Sequence, residues 1–379
     1  MIKKLHLYII KEFFWFFFLG IMVFTIILIL NLIFDLINLF LSKGISFFII
    51  LKLFTFYIPN ILTVSIPTAV LFATMLAYGR LSADNEITVM KSSGIDYKTL
   101  TMPIIILVCI ISFFLMFFNH FLAPALNSHF SSISEEIIIK NPLVKFNEKS
   151  IIKIGEYRLY ANKINNRYNT LSGVSIYKFE QKYASKKEKI ILNQNYKKSW
   201  HISASSAKVK VYSKVIRFIL HQGYWQETQP LNINSMTHIT FKTYVFFIPL
   251  RDVIKGGNSY RLNPINMQSP KLFKNIKIAK EHGLPFTLYE RDFWLRWILG
   301  FAPIAFILVA LPMAIMTEKN GKGIGFGISL GIILFYYIIL TLSVNLGEQG
   351  YAPFGIIMWL PNFMFVAIGS YLFIRMLKK

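Results

Sequence analysis

Six apolar blocks of membrane length constrain this chain more than any other feature, and they fall as three, a gap, and three. The first group ends near Phe121 and the second starts near Trp294, leaving residues 122–289, mostly polar, between them. Phe13 to Leu30 runs for eighteen positions without a charge, enough to span a bilayer as a helix. The sequence predicts helices over 13–41, 50–79, 100–121, 293–316, 324–345 and 353–376. Each is long enough to cross a hydrocarbon core of about 30 Å at about 1.5 Å per residue. No small-x-small cleavage site follows the first run, so the first helix is expected to stay as an anchor.

Composition agrees. At 55% hydrophobic and 16% aromatic, the chain carries more apolar surface than a soluble domain can hide. Cys109 is the single cysteine and lies in the third predicted helix, so no intramolecular disulfide can form. The middle region must therefore hold together by its own core.

Short-loop charge sets the expected topology. Lys3, Lys4, Arg80, Lys91, Lys98, Lys319, Lys322, Arg375, Lys378 and Lys379 collect on one side, against Lys43 on the other. Cytoplasmic loops carry the excess of Lys and Arg, so both termini are expected inside and the middle domain outside. Residues 122–289 hold 26 Lys and Arg against 9 Asp and Glu, most of the net charge of +23. A basic domain suits an anionic cargo such as a phosphorylated lipid. The plainer account is a Lys-, Ile-, Asn- and Phe-rich composition from AT-rich coding.

The middle domain reads as β. Ser150–Ile154, Arg158–Lys163, Ser172–Phe179, Lys189–Leu192, Ala207–Val211, Val215–His221 and Ile239–Phe246 have strand character, with turn signals between several of them. Short strands at this spacing suggest a sandwich or jelly roll. Pro270–His282 has helical spacing instead and stops at Gly283-Leu-Pro285. The fold class expected is a polytopic α-helical membrane protein with an inserted extracytoplasmic β-jelly-roll-like domain. Its parts are an N-terminal bundle over 1–121, the β-domain over 122–289 and a C-terminal bundle over 290–379.

The loop between the second and third helices is the most informative polar stretch. Ser82 or Asp84 can cap a short helix, Glu86 and Lys91 suit its two dipole ends, and Gly94 stops it. Ile87 and Met90, three apart, share a face. Such a helix suits a partner's groove or the lipid headgroup layer. The fifth helix opens with a glycine-rich run that lacks the GxxxxGK[ST] pattern. Gly323, Gly327 and Gly331 there form a small-residue stripe, expected to serve helix packing. Asp35, Lys43, Arg291 and Arg296 lie near the outer interface, where each can meet a cargo headgroup or only ordinary lipid. Histidines 6, 120, 129, 201, 221, 238 and 282 show no metal-ligand spacing, and there is no GxSxG. No catalytic constellation, metal site or nucleic-acid partner is expected.

The loop Gly79–Gly94, above all Leu81-Ser-Ala-Asp-Asn-Glu-Ile with Met90 and Ser93-Gly94, resembles the coupling segment of the lipopolysaccharide-export permeases. These are the paired F- and G-type subunits of the Lpt transporter. Tyr336-Tyr337, Gly347-Glu-Gln-Gly350, Pro353 and Trp359-Leu-Pro-Asn362 resemble that family's last two helices. Leu284-Pro-Phe, Pro303 and Leu311-Pro312 resemble its fourth, and Gly173-Val-Ser-Ile-Tyr177 a strand of its outer domain. The resemblance implies a permease subunit that binds no cofactor itself, with ATP used by a dimeric cytosolic ABC ATPase. It also implies a second permease of the family, a lipid cargo taken from the inner membrane, and a periplasmic β-jelly-roll bridge protein. Asp84, Asn85, Glu86, Ile87, Met90, Lys91 and Gly94 become the coupling residues. In the outer half of the first helix, Asn31-Leu-Ile-Phe-Asp35 stands where some members carry bases, so the cargo ranges from lipopolysaccharide to a less anionic lipid or a lipoprotein. A membrane sensor or scaffold that transports nothing is the alternative from another class.

Overall fold

The computed structural model describes residues 2–41, 44–140, 143, 146, 148–154, 156–165, 168–181, 196–212, 215–228, 236–249, 263–316, 324–351 and 353–378. Among them, six helices are long and apolar enough to cross a membrane. The chain divides into two compact units. One comprises Met1–Ile33, Phe54–His129 and Asn263–Lys379, and the other Phe34–Leu53 and Phe130–Leu262.

The long helices are α1 (Ile2–Leu41), α2 (Phe47–Ala83), α4 (Tyr97–Phe117), α7 (Thr287–Met316), α8 (Ile324–Glu348) and α10 (Leu360–Leu377). The short α3 (Glu86–Ser92) and α9 (Phe354–Ile357) lie between them. A π-helical turn, Phe118–Leu122, carries α4 into α5 (Ala123–Lys140), so the third apolar helix continues well past Phe121. Pro124 explains the turn. Proline has no N–H to offer, and the ladder slips by one residue just before it, the Ala123 amide bonding to the Phe118 carbonyl.

α7 is the axis of the first unit. In its most apolar window 72% of residues are buried, against 28–33% in the other five spans. Small residues permit the close approaches. A Cβ on Gly300 would sit 2.6 Å from Met116 of α4, and one on Gly369 of α10 would sit 2.7 Å from the Leu308 backbone. Asn362, 1% exposed, ties three helices. Its Oδ1 accepts from the Tyr336 hydroxyl at 2.9 Å, and its Nδ2 donates to the Ile298 carbonyl at 3.1 Å. The expected stripe behaves differently. Among the described residues, Cβ atoms on Gly327 and Gly331 would meet nothing within 4 Å, and Gly323 lies outside the described residues.

The second unit contains one six-stranded antiparallel sheet in the order β1-β2-β3-β4-β5-β6. Its strands are Ser150–Ile154, Tyr157–Asn165, Thr170–Gln181, Tyr196–Tyr212, Val215–Thr228 and Met236–Pro249. Lys189–Leu192 lies outside the described residues. A crease crosses the sheet. Ala161 pairs with Val174 and Lys163 with Ser172, but Asn162 and Gly173 between them do not pair. The same gap recurs at Ser205 opposite Gln222, and at Gln222 opposite Lys242. Gly173 (φ 60°) and Gln222 (φ 49°) take left-handed backbone there. Gly223 leaves room that a Cβ would lose to the Ser203 carbonyl and to Ala204 Cα, 2.9 Å away.

Side-chain parity switches at the crease, so one face stays inward on both sides of it. In β4 the buried residues are Ile202 and Ala204 before it, and Ala207 and Val209 after it. The two halves then meet across a shared core. Phe246, from the far half of β6, lies edge-on to Tyr157 and Trp200 from the near halves of β2 and β4. Fully buried Phe146 fills the interior beside Phe218. The jelly-roll-like domain expected from the sequence is, among the described strands, a meander folded on itself without a Greek-key crossover. The expected Pro270–His282 helix is α6 (Ser269–Glu281), started by Pro270 and closed by left-handed Gly283.

Candidate coupling site

α2 ends at Ala83, and the chain turns through Asp84 and Asn85 into α3. Asn85 takes the left-handed conformation (φ 57°), which asparagine tolerates better than most residues. The α3 helix is amphipathic within two turns. Ile87 is buried at 3% exposure and Met90 packs against the same core, while Val89 is 62% exposed on the other side. Gly94 closes the segment at φ 85°, and its amide bonds to the Lys91 carbonyl at 2.9 Å. The expected cap differs from the observed one. Ser82 is buried, and its hydroxyl donates to the Ile315 carbonyl of α7 at 3.4 Å; the residue at the N-cap of α3 is Asn85, whose side chain makes no capping bond.

Side chains from outside the loop complete the site. The Tyr8 hydroxyl of α1 reaches both carboxylate oxygens of Glu86, at 3.1 and 2.9 Å. Glu12, one turn further along α1, pairs with Arg80, which also lies 3.5 Å from Asp84. Both acids of the loop are thus tied towards the start of the first helix. Lys91 sits over the Tyr97 ring at 4.5 Å. Tyr78, fully buried, donates to the Leu100 carbonyl at 2.8 Å and fixes the base of α2 to α4. Tyr8 and Glu12 escape sequence reasoning because nothing in the chain marks a partner about seventy residues away. Their only signal is that, four apart, they share a helix face.

The four outer-interface candidates are not one cluster of free groups. Asp35 is exposed, and Lys43 lies outside the described residues. Arg291 pairs with Asp292 at 3.0 Å and Glu348 at 2.9 Å. Arg296 is buried and gives its guanidinium to the Ser269 hydroxyl at 3.0 Å and the Pro264 carbonyl at 3.2 Å. In this geometry it staples α7 to the turn that precedes α6.

The family profile of the lipopolysaccharide export system permease LptF/LptG matches residues 7–375, nearly the whole chain. The chain belongs to this family. No curated protein sequence matches it. Family membership and six apolar helices make it a multi-pass inner-membrane transport subunit with an inserted sheet domain. Several residues that carry the family resemblance have structural work in this permease. Asn362 and Tyr336 form the buried bridge, Gly347 lies under the Phe354 ring, and Glu348 holds Arg291.

Proposed function

We propose that this permease couples ATP hydrolysis by a cytosolic ABC ATPase dimer to extraction of lipopolysaccharide, or a related lipid, from the inner membrane. Both termini and α3 lie on the cytoplasmic side, and the sheet domain lies in the periplasm. The observation that carries the coupling is α3 itself, a short helix anchored by Ile87 with Val89 exposed on its opposite side. A groove on the ATPase would take that exposed side, as grooves take amphipathic helices. Asp84, Asn85, Glu86, Met90, Lys91 and Gly94 shape or present the contact. Cargo leaves through the sheet domain, whose apolar interior shields acyl chains at about 0.8 kcal/mol per buried CH₂, towards a periplasmic bridge of similar build. Gly327 and Gly331 leave a strip of α8 open for close packing by a second permease.

The test is purification from native membranes in mild detergent, with mass spectrometry of accompanying proteins and lipids. Recovery of a cytosolic ATPase with a similar permease supports the reading, and the bound lipid names the cargo. Isolation of the chain alone across several detergents, with α3 intact, overturns it in favour of a sensor or scaffold.

A further inference from the structure

Within the first unit, α2, the π turn with α5, and α7 line a partly open cavity of about 130 Å³. Asn60, Thr63, Asn119, Asn127, Asp292 and Arg296 supply its polar lining. Asn119 is 3% exposed, yet among the described residues no group donates to its Oδ1. Its Nδ2 is turned to the Arg296 carbonyl at 3.5 Å, and Asn127 Nδ2 reaches Asn60 Oδ1 only at 3.4 Å. An orphaned acceptor in a buried site costs about 1–3 kcal/mol unless something donates to it.

Proline adds more acceptors. Pro67 and Pro303 lack the N–H that would bond to the carbonyls four residues earlier, those of Thr63 and Leu299, and both of these residues line the cavity. Pro124 lines it as well. All three of the lining helical segments are therefore interrupted by proline around this one space.

The charges nearby balance. Arg291 and Arg296 face Asp292 and Glu348, joined through Arg291. A site with no net charge favours neither a cation nor an anion, and an acyl chain would leave the buried Asn119 Oδ1 without a donor. What fits is a small neutral donor. We propose that the cavity is a hydration site holding several ordered water molecules. These waters donate to Asn119 Oδ1 and to the carbonyls released by Pro67 and Pro303. The same waters let the three segments bend at their prolines without stranding backbone groups in an apolar setting.

Millisecond hydroxyl-radical labelling tests this on the full-length protein in lipid nanodiscs, with any proteins that accompany it. Radicals form from water, so a buried residue beside bound water is labelled and one in a dry core is not. Pro124 and Pro312 are both buried, but only Pro124 borders the cavity. Labelling of Pro124 and not Pro312, lost in Asn119→Leu, is the expected result. Asn127→Leu, expected to give the same loss, serves if the first variant does not fold. Equal protection of the two prolines overturns the proposal, as does Pro124 labelling that survives both substitutions or a lipid found in the cavity.

Discussion

The Tyr8 hydroxyl bridges the two carboxylate oxygens of Glu86, 78 residues away, and so ties the start of the first long helix to the first turn of α3. The Glu12–Arg80–Asp84 chain lies one turn further along the same helix. The α3 helix is therefore not carried by its own loop alone. Side chains link α3 and the turn before it to α1.

Tyr8→Phe removes the bridge and leaves the ring. The hydrogen bond is exposed, so its loss costs about 0.5–1 kcal/mol, a two- to fivefold rise in amide exchange across Glu86–Ser92. Hydrogen–deuterium exchange of the intact protein measures it. Combination with Arg80→Gln enlarges the effect, and lipid export per ATP hydrolysed falls while the ATPase still binds. Unchanged exchange in the double variant shows that α3 is held by its apolar face, Ile87 and Met90.

Gly94 is constrained by backbone and not by space, because a Cβ there would meet nothing and φ is 85°. The side chain's tolerance of left-handed backbone then decides each substitution. Gly94→Asn retains most export, whereas Gly94→Val costs about 1–2 kcal/mol in the loop and uncouples ATP hydrolysis from export. Membrane insertion of both variants is normal. Equal export by the two would mean the loop does not need this turn.

Gly223→Ala acts by collision. The added methyl meets the Ser203 carbonyl and Ala204 Cα at the crease, both backbone, so neither can rotate away. A loss of about 2–3 kcal/mol is expected in the sheet domain, by the mechanism of overpacking. Limited proteolysis of the full-length protein reads it as faster cutting within residues 130–262, with the helical unit unaffected.

His201 predicts a pH dependence. Its ring stacks on Tyr177 at 4.2 Å, no group among the described residues pairs with its Nε2, and burial holds its pKa below the ordinary value of 6.5. The unfolded chain therefore takes up a proton at a pH where the folded chain does not. Stability of the sheet is flat above about pH 6.5 and falls as pH drops from there to the folded pKa. Amide exchange of β4, corrected for intrinsic rates, measures the fall, and His201→Phe flattens it. A rise in protection on acidification would contradict the burial argument.

Elements set by local pattern could be read from the residues. The six apolar runs appear as helices, β1 has the bounds expected of it, and α6 starts and stops where Pro270 and Gly283 require. The early parts of β4 and the late part of β5 were not legible. Ser199, Ser203, Ser205 and Gly223 lack the β-branched signal, and the parity switch at the crease breaks the two-residue alternation that marks a strand. The extension of α4 past Phe121 was hidden because hydropathy falls there while helix formation continues.

The loop around α3 divides in the same way. Its short helix, its buried Ile87 and its terminal Gly94 follow from residues within a few positions of one another. Arg291 and Arg296 show the limit, since a charge near an interface looks free until the tertiary structure supplies Glu348, Ser269 and Pro264 as partners. The amino-acid sequence by itself determined that this chain spans a membrane six times and carries a β-domain between two helical groups, because burial in lipid and backbone pairing act on contiguous runs. Only the tertiary structure decided that Tyr8 holds Glu86, that α7 is the axis, and that three proline-interrupted segments border one cavity with Asn119 in its wall. Those are contacts between distant residues, and no local periodicity encodes them.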